Sequence, residues 1–166
     1  NDQVPKIRNV WNNIPIQLAK DSKKFIYKNL GDGARARDYE YALMWMSDCA
    51  LITTVNRVTA PSVPLKFYYD IKAFKVYLND VGLLSNMCQV DPRDILDNNK
   101  VLIEFKGALT EQFVCQELKV FNDFDFAYYT NEKNTCEVDF LAKLDIDITP
   151  IEAKAEISLQ AKSLKS

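Results

Sequence analysis

The second half of the sequence carries one long helical pattern followed by three extended patterns. Small and apolar residues recur at three- and four-residue steps over residues 104–118, the spacing of one helix face. Strand patterns follow at residues 126–130, 136–144 and 149–155. The order helix-strand-strand-strand predicts an α/β core in this half of the chain.

Charged residues alternate with apolar ones in two of these predicted strands. Alternation places Glu137 and Asp139 on one face of the second strand, and Glu152 and Lys154 on one face of the third. Glu111 lies on the small-residue stripe of the helix and is expected to face the sheet. Carboxylates can hold Mg²⁺ or Mn²⁺, and a neighbouring lysine can offset charge on a phosphate. The three acids Glu137, Asp139 and Glu152 beside Lys154 suit phosphodiester hydrolysis with one or two metal ions, and Glu111 is a candidate fourth acid.

The same alternation has a simpler explanation. Charges also alternate on the wet face of an ordinary antiparallel sheet, where Glu152 and Lys154 would form a surface ion pair. The alternation by itself favours this explanation. Asp145 and Asp147 also resemble metal ligands, but acids in a turn are usually solvated caps, so the predicted site leaves them out.

The first half of the sequence has the order of a winged helix. Pro15 is expected to divide the first helical pattern into two short helices, and residues 34–50 repeat apolar positions at helical spacing. Extended patterns at residues 51–55, 66–69 and 75–78 then form a hairpin with a long loop. The predicted fold class is therefore α+β or α/β, with a winged-helix-like region over residues 1–90 and the α/β core over residues 91–166.

Composition excludes several classes of protein. The chain has no histidine, which rules out Ser-His-Asp and Cys-His catalysis within it. Its four cysteines are widely spaced, so buried free thiols in a reducing cytoplasm are expected and a zinc cluster is not. No apolar run approaches the roughly 20 residues of a membrane span, and a net charge of -2 leaves any nucleic-acid contact to a local patch. We expect a cytoplasmic protein without a membrane contact.

A local basic patch is present between residues 20 and 37, where lysines and arginines outnumber aspartates. Lys24, Lys28, Arg35 and Arg37 are the predicted contacts with the phosphates of duplex DNA. A solvated surface, or docking to an acidic partner, would explain the same residues equally well.

The second half resembles the PD-(D/E)XK nuclease superfamily. A helix with Glu111 precedes Asp139 in the segment Glu-Val-Asp-Phe, and Glu152-Ala153-Lys154 follows as the E-x-K of the motif. The resemblance implies a restriction-endonuclease-like domain over residues 91–166 and assigns Asp139, Glu152 and Lys154, with Glu111, to its metal-dependent site.

Longer blocks resemble the C-terminal region, of unassigned function, of bacterial and archaeal predicted AAA+ ATPases. They lie at residues 14–20, 33–40, 77–84 and 105–112, across nearly the whole chain. The resemblance implies an upstream ATPase module that binds ATP. This chain itself has no G-x-x-x-x-G-K-[ST] loop and is not expected to bind ATP. The chain is therefore expected to be a C-terminal fragment whose core, ending at Ser166, is incomplete. Ala153 stands where the family commonly has valine.

Three functions follow as expectations. The first is a DNA-interacting, nuclease-like module of an AAA+ ATPase, with Mg²⁺ or Mn²⁺ as cofactor. The alternative is a catalytically inactive module that binds nucleic acid or protein and regulates the attached ATPase. A third is an oligomerisation domain, which requires an exposed patch around Phe67, Tyr68 and Tyr69. Metal binding separates the first two.

Overall fold

A computed structural model describes residues 2–20, 22–91, 93, 103–121, 125–131 and 135–155. These residues form four α-helices and a five-stranded mixed sheet, and the fold is therefore α+β, as predicted. The helices are α1 Gln3–Leu18, α2 Ala36–Asp48, α3 Val81–Met87 and α4 Ile103–Val120. The strands are β1 Ile52–Val58, β2 Tyr69–Leu78, β3 Phe126–Thr130, β4 Glu137–Leu144 and β5 Asp147–Ile151.

The sheet has the strand order β2-β1-β3-β4-β5. β1 and β2 form the antiparallel hairpin predicted for the first half, and β3, β4 and β5 form an antiparallel meander. β1 also pairs in parallel with β3, with Arg57 opposite Tyr128 and Val58 opposite Tyr129. The predicted wing is thus continuous with the strands of the second half, so the segments on the two sides of residue 90 share one sheet.

α1 is one unbroken helix, and the predicted break at Pro15 is wrong. A proline inside a helix removes one backbone hydrogen bond. Val10, Ile14 and Leu18 are nevertheless buried at four-residue spacing and continue one apolar stripe past the proline. Packing of this stripe against the core holds the last turn in the helix.

Most other predicted elements are present with shifted ends. The helices expected at residues 34–50 and 104–118 and the strand at residues 126–130 are confirmed. The extended pattern at residues 66–69 lies mainly in a 3-10 turn, Leu65–Tyr68. The last predicted strand ends at Ile151, four residues before its expected end at residue 155.

The structure also bears on two predictions made from composition. None of the four cysteines forms a disulfide, but Cys115 alone is buried and Cys49 is exposed, so the prediction of four buried thiols is wrong. In the described part of the chain, none of the helices α1 to α4 combines the length and the hydropathy that a membrane span requires.

α4 packs against β2 and is fixed there by side-chain amides. The amide of Gln112 donates to the carbonyl of Leu78 and accepts the N–H of the same residue, while Gln116 accepts the N–H of Val81. Buried bonds of this kind satisfy backbone groups that are costly to leave unpaired. They hold the helix in register with β2, next to Tyr77.

Candidate active site

Asp139 lies at a β-bulge in β4. The pairing with β3 shifts so that two residues of β4, Asp139 and Phe140, stand opposite the single residue Tyr128. Bulges re-aim side chains and are common beside active sites. The ring centroid of Phe140 lies 5.8 Å from that of Tyr77 in the core under α4. Asp139 interacts electrostatically with Glu111, which is a residue of α4. Strict alternation predicted opposite faces for Asp139 and Phe140, and the bulge explains why both turn toward the helix.

Glu152 and Lys154 follow the end of β5, and the prediction that they share the face of a strand is wrong. Asp139 instead binds the backbone of the segment that contains Glu152 and Lys154, because its Oδ2 accepts the N–H of Ala153 at 2.9 Å. The ammonium of Lys154 donates to Oε1 of Glu152. The E-x-K segment is therefore attached directly to the bulged aspartate.

Glu111 is buried, 4% exposed, and faces the sheet as predicted. Its Oε1 accepts a hydrogen bond from the ammonium of Lys23, and its Oε2 accepts one from the hydroxyl of Tyr77 at 3.0 Å. Burial, together with the charge of Glu111, raises the pKa of Tyr77 well above its usual value. Tyr77 therefore remains a protonated donor to Glu111 at any physiological pH.

Lys75 extends this group of charges along the sheet. It is fully buried, at 0% exposure, and its Nζ lies 2.6 Å from Oε1 of Glu137 and 3.9 Å from Oε2 of Glu111. The same Nζ lies 4.9 Å from the ring centroid of Tyr128. We use the name charged cluster for the four carboxylates and three ammonium groups of Lys23, Lys75, Glu111, Glu137, Asp139, Glu152 and Lys154.

Three contributors to the site come from the first half and were missed by sequence reasoning. Lys23, Lys75 and Tyr77 all contact or approach Glu111. One of them carried a signal, since Lys75 stands alone among the apolar residues 73–78. A lysine inside an apolar strand is rarely buried without a partner.

Two family models match the chain. The model described as Domain of unknown function (DUF8612) matches residues 1–94, which is more than half of the 166 residues. The chain belongs to this family. A second model, Domain of unknown function (DUF4143), matches residues 106–166, while no curated protein and no solved structure shows a significant match.

The charged cluster draws on both matched segments. Lys23, Lys75 and Tyr77 lie within the DUF8612 segment. The four residues predicted from the sequence, Glu111, Asp139, Glu152 and Lys154, all lie within the segment similar to DUF4143. Contacts of the first segment therefore set the electrostatic environment of carboxylates in the second.

Burial raises the pKa of Asp139 to about 6, and the negative charge of Glu111 adds to this rise. The N–H of Ala153 and the charge of Lys75 act in the opposite direction. The bond to Glu152 raises the pKa of Lys154, and the charges of Asp139 and Glu111 contribute to the same shift. The cluster therefore keeps Lys154 charged. It disfavours the ionised form of Asp139 in the absence of a further cation.

The shifted pKa of Asp139 predicts a pH dependence of stability. An unfolded aspartate titrates near pH 4 and the folded one at about 6, so the native state binds more protons between these values. The stability that Asp139 contributes is fully present below about pH 4 and is lost as the pH rises through about 6. Asparagine cannot ionise, so Asp139→Asn is expected to be about 2 to 3 kcal/mol more stable than the native chain at pH 7.5.

Urea unfolding in EDTA at pH 4 to 8 measures this difference. The gain in Asp139→Asn should shrink toward pH 4, where the native aspartate is protonated. Asp147→Asn removes an exposed carboxylate and should follow the native profile. Parallel profiles for the native chain and Asp139→Asn would show that Asp139 titrates normally.

The donor chemistry of the cluster fits a hard divalent cation, with one restriction. Oε2 of Glu152 is buried and has no hydrogen-bond partner among the described residues, and its side chain is only 10% exposed. An unsatisfied buried oxygen is unfavourable and is often explained by an absent ion or water. Yet no group of three or more acidic or cysteine side chains in the described part of the chain is arranged to hold a metal. Lys23 and Tyr77, in addition, already bond to the two oxygens of Glu111.

The predicted basic patch lies at the surface. Lys24, Lys28, Arg35 and Arg37 are all exposed. The N–H of Arg35 donates to Oδ2 of Asp38 at the start of α2, and Nε of Arg37 lies 3.9 Å from Oδ1 of the same aspartate. These contacts leave all four side chains accessible to a phosphate backbone.

Proposed function

We propose that this chain is a DNA-interacting, nuclease-like module of a cytoplasmic AAA+ ATPase, and that its charged cluster is a metal-dependent phosphodiesterase site. The observation that carries the proposal is the convergence of Asp139, Glu152 and Lys154 beside Glu111. These residues come from a helix, a bulged strand and the segment after the next strand. The resemblances to PD-(D/E)XK nucleases and to the C-terminal region of predicted AAA+ ATPases support it. The ATP-binding module would lie outside this chain.

In this proposal the carboxylates and Lys154 have different chemical roles. Asp139 and Glu152 would hold Mg²⁺ or Mn²⁺, which supplies a Lewis acid for the phosphate and an activated water. The side chain of Lys154 is 45% exposed, so its ammonium can reach a phosphate at the surface and stabilise the charge that develops there. Above about pH 7 Asp139 is mostly ionised, given a pKa of about 6, and is then ready to bind a cation.

The test is cleavage of supercoiled plasmid DNA by the purified chain. Nicking or cutting should appear with Mg²⁺ or Mn²⁺, disappear in EDTA, and be lost in Asp139→Ala. Cleavage that survives Asp139→Ala would indicate a contaminating nuclease. If the chain neither binds Mn²⁺ nor cuts any nucleic acid, alone or joined to its ATPase with ATP, the nuclease assignment is wrong.

DNA binding through the basic patch predicts a salt effect. Arg35→Ala with Arg37→Ala should weaken binding to all duplex sequences alike and reduce the slope of log affinity against log salt by about two. Fluorescence anisotropy at 50 to 200 mM salt measures both quantities. The double substitution Arg93→Ala with Lys72→Ala serves as control, because these residues are exposed and outside the patch. An unchanged slope would assign the patch to partner docking or to plain surface.

The alternative function is a catalytically inactive module that regulates the attached ATPase. One observation favours it, namely that Lys23 already neutralises Glu111. Plasmid cleavage decides between the two. The oligomerisation function gains less, since Phe67 is exposed but Tyr69 packs on a core and its hydroxyl donates to Asp125 at 2.7 Å.

A further inference from the structure

Among the described residues, Lys23 is the more accessible of the two cations that lie within 4 Å of Glu111. Its ammonium bonds to Oε1 of Glu111 although the two residues lie far apart in sequence. The side chain of Lys23 is 17% exposed, whereas that of Lys75 is 1% exposed. Lys75 belongs to the interior of the sheet, but Lys23 lies outside the helices and strands, in the connection that follows α1. Lys23 can therefore leave Glu111 without opening the sheet.

The backbone around Lys23 holds its ammonium group in position. Lys23 has a φ of 47°, in the left-handed region that side chains other than glycine seldom adopt. Two residues later the N–H of Phe25 donates to the carbonyl of Phe74 at 2.8 Å and ties the connection to β2. An unfavourable backbone conformation is thus retained where it directs a cation onto the carboxylate.

The position of Lys23 conflicts with a divalent cation at the same carboxylate. An ammonium and a metal ion would share the same oxygen and repel each other in a poorly solvated site. The other oxygen of Glu111 is bonded to Tyr77. Glu152 differs, because its Oε2 is buried without a partner among the described residues.

We propose that Lys23 is a built-in counter-ion of Glu111 that competes with divalent metal and so sets the metal affinity of the site. The inference rests on the proposed function, because it requires a metal held by Asp139 and Glu152. Lys23 is a positioning residue here. With the ammonium on Glu111, its positive charge opposes a cation at Asp139 and Glu152, and with the ammonium displaced the negative charge of Glu111 attracts that cation.

Calorimetric titration with Mn²⁺ tests the proposal on the native chain and three variants. Lys23→Met should bind Mn²⁺ at least about tenfold more tightly than the native chain, because a neighbouring positive charge is removed. Lys24→Met makes the same charge change at the next residue, which is exposed, and should stay within about twofold of the native affinity. Glu152→Gln should bind Mn²⁺ more weakly than the native chain.

Thermal unfolding supplies a second measurement that does not depend on catalysis. Mn²⁺ should raise the Tm of Lys23→Met more than that of the native chain, since tighter binding to the folded state adds more stability. Lys23→Gln, which retains a polar group, should behave like Lys23→Met and shows whether the apolar replacement disturbs folding.

The outcomes separate the two claims. If Glu152→Gln loses affinity but Lys23→Met and Lys23→Gln match the native chain, the metal site stands and the role of Lys23 is wrong. Equal tightening in Lys24→Met would indicate a general charge effect and would also overturn it. Absence of Mn²⁺ binding in the native chain and in every variant overturns both claims.

Discussion

Replacement of Lys75 by methionine is expected to lower the free energy of unfolding by about 3 kcal/mol near neutral pH. Lys75 is fully buried, and its ammonium compensates Glu137 at 2.6 Å and Glu111 at 3.9 Å. Methionine fills a similar volume but leaves both carboxylates without this cation. The loss is expected at the lower end for a buried pair, because the side chain of Glu137 is one-third exposed and can regain water.

Urea unfolding of Lys75→Met, beside Lys72→Met, measures the effect. Lys72 lies on the same strand and is exposed, so its replacement should change stability by less than about 0.5 kcal/mol. The double variant Lys75→Met with Glu137→Gln should recover part of the loss, since the carboxylate left uncompensated is then absent. Equal stability of the native chain and Lys75→Met would mean that Lys75 does not compensate these charges.

Lys75→Met has a second expected result at Asp139. The charge of Lys75 lowers the pKa of that carboxyl, so its removal should move the value further above 6. Carbonyl NMR titration of the aspartates measures the shift. A changed pKa in a folded variant would show that β2 tunes the carboxylate of β4.

Local patterns predicted the helices and strands well, because each was encoded by its own segment. The stripe of α4 placed Glu111 toward the sheet, and the turn-bounded pattern of residues 126–130 gave β3. The break predicted at Pro15 failed for a tertiary reason. Burial of Ile14 and Leu18 on the two sides of the proline keeps α1 in one piece.

The geometry of the site depended on features that alternation alone does not contain. Alternation placed Glu152 and Lys154 on a strand, yet the strand ends at Ile151 because the next segment bonds to Asp139. The bulge at Asp139 shifts the face of each residue after it. A sequence pattern with a period of two cannot show where an extra residue enters the pairing.

The partners from the first half were beyond local patterns for a different reason. Lys23 and Glu111 meet only after α1, the hairpin and α4 have packed together. The parallel pairing of β1 with β3 joins segments separated by β2, α3 and α4. The winged-helix order placed the hairpin after the first helices, as observed, but it expected two helices where α1 is one. It also did not predict that the hairpin would enter the same sheet as the meander.

Glu152→Gln is expected to slow DNA cleavage at least about a hundredfold with Mg²⁺ while leaving the chain as stable as the native protein. The rate should fall because the neutral amide binds a cation more weakly than the carboxylate does. Loss of one interaction that stabilises the transition state lowers the rate on the order of 10² to 10³. Stability should hold because Oε2 of Glu152 has no partner among the described residues, and Lys154, which bonds to Oε1, is 45% exposed and can regain water. A group whose removal affects catalysis without affecting folding is held for function.

Three matched measurements make this result decisive. Asp147→Asn removes an exposed carboxylate of the same hairpin and should cleave within about twofold of the native rate. Lys154→Met should cleave about a hundredfold more slowly, like Glu152→Gln, if its ammonium stabilises the charge that develops on the phosphate, as proposed. Unfolding curves for all three variants should overlay the native curve. If Glu152→Gln unfolds more easily yet cleaves at the native rate, the bond between Glu152 and Lys154 stabilises the end of β5, and the cleavage does not depend on Glu152.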